Sequence, residues 1–189
     1  MPDLPLATLQ RLVLALDHIA VPYAIIGGVA VSIRSVPRYT QDVDAVMWFG
    51  ETGWQELLDK LISHGFIARS SRPIEFARLN RLLLLVDKDG IQVDLSFGAL
   101  PFEEHTVRNA ERIEVADRLT APIASAEALL IMKAIAWRPK DHVDIREIVA
   151  VNPGVDKSYV LTQFAEFAEL LEVPERVSEL RSMMKDATE

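Results

Sequence analysis

The sequence predicts an α+β fold: a mixed sheet flanked by helices, followed by a helical C-terminal part packed on that core. Two observations predict it. Short apolar or alternating segments, broken by Gly and by a hairpin turn, fill much of residues 23–123, as strands do. From Ser125 onward the periodicity becomes helical, punctuated by Pro139, Asn152-Pro153-Gly154 and Pro174. The expected boundary divides residues 1–124 from residues 125–189.

Each element has its own signal. Leu6, Leu9, Leu12, Val13 and Leu16 recur at helical spacing over 4–20, before Pro22. Tyr23-Ala-Ile-Ile26 reads as a buried strand. Gly27-Gly28 breaks it, and Val29 to Ser35 reads as a short helix stopped before Pro37. Asp42 to Phe49 alternates acidic and apolar residues, which suits a strand. Trp54, Leu57, Leu58, Leu61 and Ile62 predict a helix over 52–64, closed by Gly65. Strands are expected at 74–79, 81–86 and 91–97, the last two joined by a hairpin at Asp87-Lys-Asp-Gly90. One or two shorter strands fall in 111–123. Helices follow at 125–137, 141–150, 156–171 and 174–187.

The 189 residues are 50% hydrophobic and 25% charged, a globular composition with a sizeable core. No Cys is present, which excludes disulfides, thiol nucleophiles and cysteine zinc sites. His18, His64, His105 and His142 are scattered without metal-ligand spacing. The N-terminus lacks a signal-peptide pattern and no apolar run reaches membrane-spanning length, so a soluble cytoplasmic protein is expected. The net charge of −8 argues against bulk nucleic-acid binding. Residues 1–95 carry 9 bases and 11 acids, and the remainder carries 11 and 17. Arg69, Arg72, Arg78 and Arg81, against Glu75 alone, read by charge as a solvated strand edge, with a basic groove wall for RNA as the alternative.

The chemistry concentrates in Gly27-Gly28 and Asp42-Val43-Asp44. Positions i and i+2 of a strand share a face, so Asp42 and Asp44 stand side by side and repel unless a cation lies between them. Oxygen ligands of this kind suit Mg²⁺ with phosphate oxygens. A strand ending in Gly-Gly before a helix lets backbone N–H groups approach a phosphate. Asp94, in the strand Ile91-Gln-Val-Asp94-Leu, completes a three-carboxylate set able to hold two Mg²⁺ ions.

Gly27-Gly28, Asp42-Val-Asp44 and the later Asp94 resemble the nucleotidyltransferase superfamily typified by DNA polymerase beta. Arg38-Tyr-Thr40-Gln-Asp42-Val-Asp44, with Lys133 on a helix and then Arg138-Pro-Lys140-Asp141-His-Val-Asp144, is similar to its minimal bacterial branch of AbiEii-type toxins. The resemblance spans roughly residues 20–150 and implies a polymerase-beta-like core. It implies transfer of a nucleoside monophosphate from a nucleoside triphosphate (NTP) to a hydroxyl, with release of pyrophosphate. Asp42, Asp44 and Asp94 would be catalytic and would bind two Mg²⁺. Gly27, Gly28, Arg38, Lys133 and Asp141 would bind the nucleotide. The implied acceptor is tRNA, in a toxin held by a cognate antitoxin protein. The alternatives are a small cationic acceptor of the aminoglycoside kind and an inactive nucleotide-binding module.

Overall fold

The structure, a computed structural model, describes residues 5–187. These divide into two compact units. The first holds the chain up to Ala30 together with Arg38–Ala124. The second holds Val31–Pro37 and the chain from Ser125 onward.

The first unit is built on a seven-stranded mixed sheet. In chain order the strands are β1 (Tyr23–Ile26), β2 (Asp42–Met47), β3 (Phe66–Ala68), β4 (Leu82–Asp87), β5 (Gln92–Phe97), β6 (Glu111–Ala116) and β7 (Leu119–Ile123). They lie side by side as β3-β4-β5-β2-β1-β7-β6. The β2–β5 and β1–β7 pairs are parallel and the other neighbours antiparallel. The hairpin between β4 and β5 turns through Gly90 at φ +80°.

Alternation along the strands separates the sheet's faces. Val43, Ala45, Met47, Leu83, Leu85, Val93, Leu95 and Phe97 are buried on one of them. Helices α1 (Leu6–Ile19) and α3 (Trp54–Ser63) pack there. Trp54 stacks on Phe97 with ring centroids 3.9 Å apart, and Thr8 donates to Asp87 at 2.6 Å. On the opposite face Asp42, Asp44, Gln92, Asp94 and Ser96 are half-buried to exposed, while Val46 is buried.

Helix α2 (Gly27–Arg34) follows β1 with no intervening loop. It begins on the two glycines themselves, two residues before the expected start. The segment 74–79 is a helix, not the expected strand: α4 runs from Pro73 to Asn80. Pro73 at the first helical position and Glu75 in the first turn stabilise the start, and Arg81 closes the helix at φ +51°. Another helix, α5 (Pro101–Arg108), lies where no element was expected; Glu103 reaches back to the amides of Ala99 and Leu100 at 2.7 and 2.9 Å.

The second unit carries α6 (Ala126–Ala136), α7 (Pro139–Val151), α8 (Lys157–Leu170) and α9 (Glu175–Asp186). Ser125 caps α6 and Asp156 caps α8, each side chain accepting from a first-turn amide. Ile145, Ile148, Val149, Val160, Phe164 and Leu180 are buried within this unit.

Candidate active site

Strand register assembles the acids. Asp44 on β2 stands opposite Asp94 on β5, and Asp44 is also opposite Ile26, the last residue of β1. Asp42, two residues before Asp44, projects from the same face. One face of three adjacent strands therefore brings together all three predicted carboxylates and the Gly-Gly turn.

The turn is fitted to the acids by contact. Gly27 has φ +64°, and a Cβ on it would fall 1.9 Å from Oδ2 of Asp44. A Cβ on Gly28 would fall 2.3 Å from Oγ1 of Thr40. Thr40 is buried, and its hydroxyl donates to Oδ1 of Asp42 at 2.9 Å. Two glycines are thus required because backbone approaches side chains that serve the acids. The first amides of α2 begin here and have no acceptor within their own helix.

Arg69 is the site residue that sequence reasoning missed as such. It follows β3, and its amide donates to the carbonyl of Leu84 at 2.9 Å. Leu84 is opposite Asp94. From this position the Arg69 guanidinium pairs with Oδ1 of Asp94, and its other arm donates to Oε1 of Gln92 at 2.5 Å. Burial pushes the Asp94 carboxyl above the ordinary aspartate range, Arg69 pulls it down, and the charge of Asp42 pushes it up again.

The oxygen-only donor set suits Mg²⁺, which is commonly held by one or two carboxylates and completed by phosphate oxygens. The guanidinium at Asp94 shows that this face accepts a cation. Among the described residues no three acidic or His side chains converge closely enough to hold a metal ion unaided. Asp42, Asp44 and Asp94 are oxygen donors of that kind, and Asp94 already has a positive partner in Arg69.

A cavity of about 560 Å³ opens beside Asp42, lined also by Tyr39, Thr40, Gln41 and Gln92. Gln41 donates to the Tyr39 hydroxyl at 3.1 Å. Neither Lys nor Arg lines the cavity among the described residues.

The remaining predicted nucleotide contacts are Arg38, Lys133 and Asp141. Arg38 is half-buried in the segment leading to β2. Lys133 and Asp141 belong to the second unit, where both are buried. The Lys133 ammonium lies 3.1 Å from Oδ1 of Asp141 and 2.7 Å from Oδ2 of Asp144. Asp141 also accepts from the backbone and guanidinium of Arg138, at 3.0 and 2.7 Å. Burial pushes the Asp141 carboxyl up, and these hydrogen bonds together hold it below the ordinary range. No helix among the described residues is long and apolar enough to cross a membrane.

No family model matches the sequence, and no curated protein matches it. Solved structures do. An antigenic nucleotidyltransferase-like protein from Paracoccidioides brasiliensis superposes with a TM-score of 0.57 at 23% identity, covering 95% of this chain and 92% of that one. The lincosamide antibiotic adenylyltransferase LnuA, in its lincomycin-bound structure, superposes with a TM-score of 0.55 at 17% identity, covering 75% of this chain and 94% of that one. The chain has the nucleotidyltransferase fold.

Proposed function

We propose that the chain is a Mg²⁺-dependent nucleotidyltransferase that moves a nucleoside monophosphate from an NTP to a hydroxyl acceptor. The observation that carries this reading is the packing of Gly27 against Asp44, with Asp42 and Asp94 on the same sheet face. That arrangement sets backbone amides beside carboxylates, as a bound metal–triphosphate requires.

In this reading the Gly27-Gly28 turn holds the triphosphate, and Asp42, Asp44 and Asp94 would hold the metal, with phosphate oxygens completing its shell. Bound Mg²⁺ would neutralise charge on the phosphates and polarise the α-phosphorus. Asp94 orients the acceptor hydroxyl and takes its proton. The acceptor oxygen bonds to the α-phosphorus as the bond to the β-phosphate oxygen breaks, and pyrophosphate leaves. Thr40 fixes the direction of Asp42 through its hydrogen bond. Rate in such a site comes from positioning and charge neutralisation.

The acceptor we favour is a small, neutral or cationic, hydroxyl-bearing molecule. The cavity beside Asp42 has the volume of a small-ligand site and presents amides, a phenol and a carboxylate, with no basic lining residue among those described. The fold is shared with a lincosamide adenylyltransferase. A tRNA acceptor, with the toxin role and antitoxin it entails, needs a basic approach. In the strip 69–81, Arg69 pairs with Asp94, Arg72 with Glu75, and Arg81 with Glu51.

The test offers each of the four α-labelled NTPs, with Mg²⁺, to aminoglycosides, lincosamides and total tRNA. Label in a small molecule is the expected result. Label in tRNA alone would replace the acceptor assignment with the toxin reading. Tight triphosphate binding with transfer to neither would favour an inactive nucleotide-binding module.

A further inference from the structure

The proposed chemistry uses Asp94 but gives no role to Arg69, whose guanidinium joins Asp94 to Gln92. Side chains of Gln92 and Asp94 are two residues apart on one strand and share a face. The guanidinium bridges them, one arm on each. A forked, planar cation suits two acceptors so spaced, and a lysine ammonium does not. The backbone of Arg69 is fixed by its hydrogen bond to Leu84, the residue opposite Asp94. The side chains of Arg69 and Asp94 are 25% and 32% exposed, so solvent and ions reach the pair.

Charge explains why the bridge exists. Asp42, Asp44 and Asp94 crowd one sheet face, where like charges repel. Arg69 supplies positive charge at the third acid. A divalent cation that uses Asp94 must compete with that guanidinium.

We propose that Arg69 is a positioning residue that holds a cation's place at Asp94, and that a divalent metal ion engages Asp94 by displacing its guanidinium. The proposal rests on the reading of the three acids as metal ligands. Metal affinity is then lowered by whatever the ion pair contributes to the metal-free state. A partly exposed pair is worth up to about fivefold in such an equilibrium.

The test titrates Mn²⁺ alone, without nucleotide, and follows free Mn²⁺ by electron paramagnetic resonance. Arg69→Gln is expected to bind Mn²⁺ about three- to fivefold more tightly than wild type. Arg69→Lys should fall between the two. In an Asp94→Asn background, Arg69→Gln should bring no gain. Thermal melting adds a second readout: metal-free Arg69→Gln melts lower than wild type, and saturating Mn²⁺ narrows the gap. A purely structural clamp would lower melting equally with and without Mn²⁺ and leave affinity unchanged, which would overturn the proposal. Asp42→Asn separates the two levels of the argument. If it weakens Mn²⁺ binding while Arg69→Gln does not tighten it, the role of Arg69 fails alone. If Asp42→Asn binds Mn²⁺ like wild type, the metal-site reading fails and takes the proposal with it.

Discussion

The backbone of Gly27 leaves no room for a methyl group beside the carboxylate of Asp44. A Cβ there would lie 1.9 Å from Oδ2, 2.6 Å from Cγ and 2.8 Å from Cβ of Asp44, and the residue's φ of +64° disfavours any L side chain. The chain passes from β1 into α2 at the point where β2 presents its second acid. Gly27→Ala therefore has no cheap relaxation: Asp44 must move, or the turn must. The variant should lose about 1–3 kcal/mol of stability and most of its metal-dependent activity. Urea unfolding and a transfer assay measure both. Unaltered stability would mean that the turn is looser than this contact implies.

Asp87 anchors the β4–β5 hairpin and provides a pH signature. Its side chain accepts from Thr8 at 2.6 Å, from the amides of Asp89 and Ile91 at 2.8 and 3.1 Å, and from Arg11. Burial pushes its carboxyl up, but these donors outweigh burial and hold it below the ordinary aspartate range. A carboxyl held below its unfolded value stabilises the fold above that value, and the contribution is lost as pH falls through the folded value. Asp87→Asn should cost about 2 kcal/mol at pH 7. Its stability should also decline less steeply than wild type below about pH 4. Parallel stability–pH curves for the two proteins would remove Asp87 from the account of acid sensitivity.

The second unit holds a charge cluster whose members are matched. Lys133 sits between Asp141 and Asp144, and Arg138 grips Asp141. Removing one partner of a buried pair is costly because the other charge remains. Asp144→Ala should lower stability by roughly 3 kcal/mol, and adding Lys133→Met should recover part of that loss. Denaturant unfolding of the two variants checks the order. A phosphate reaches Lys133 only in competition with these two carboxylates.

Much of the site was legible because its parts follow from strand periodicity. Asp42 and Asp44 share a face by spacing alone, and Gly27-Gly28 announces a turn that needs glycine. The opposition of Asp94 to Asp44 depends on parallel register between β2 and β5, which spacing does not contain. Arg69 lies 25 residues from Asp94 and reaches it across β4, so its partner is fixed by tertiary pairing. Its four-arginine strip reads in sequence as free basic surface.

The misread elements have equally local causes. Ile74, Phe76 and Leu79 resemble strand residues, yet Pro73 and Glu75 start a helix, and only Ala77 of α4 is buried, so no apolar stripe marks its period. Pro101 and Glu103 mark α5 in the same way. Strand β3 has three residues, too few for alternation to register.

The measurement that bears most directly on the central claim is transfer of α-label from NTP to acceptor by wild type, Asp44→Asn and Asp94→Asn, alongside their unfolding curves. The account predicts that both variants stay folded, since each loses one charge from a crowded face, and that transfer falls at least about 100-fold in each. Folded variants that transfer label at the wild-type rate would contradict it.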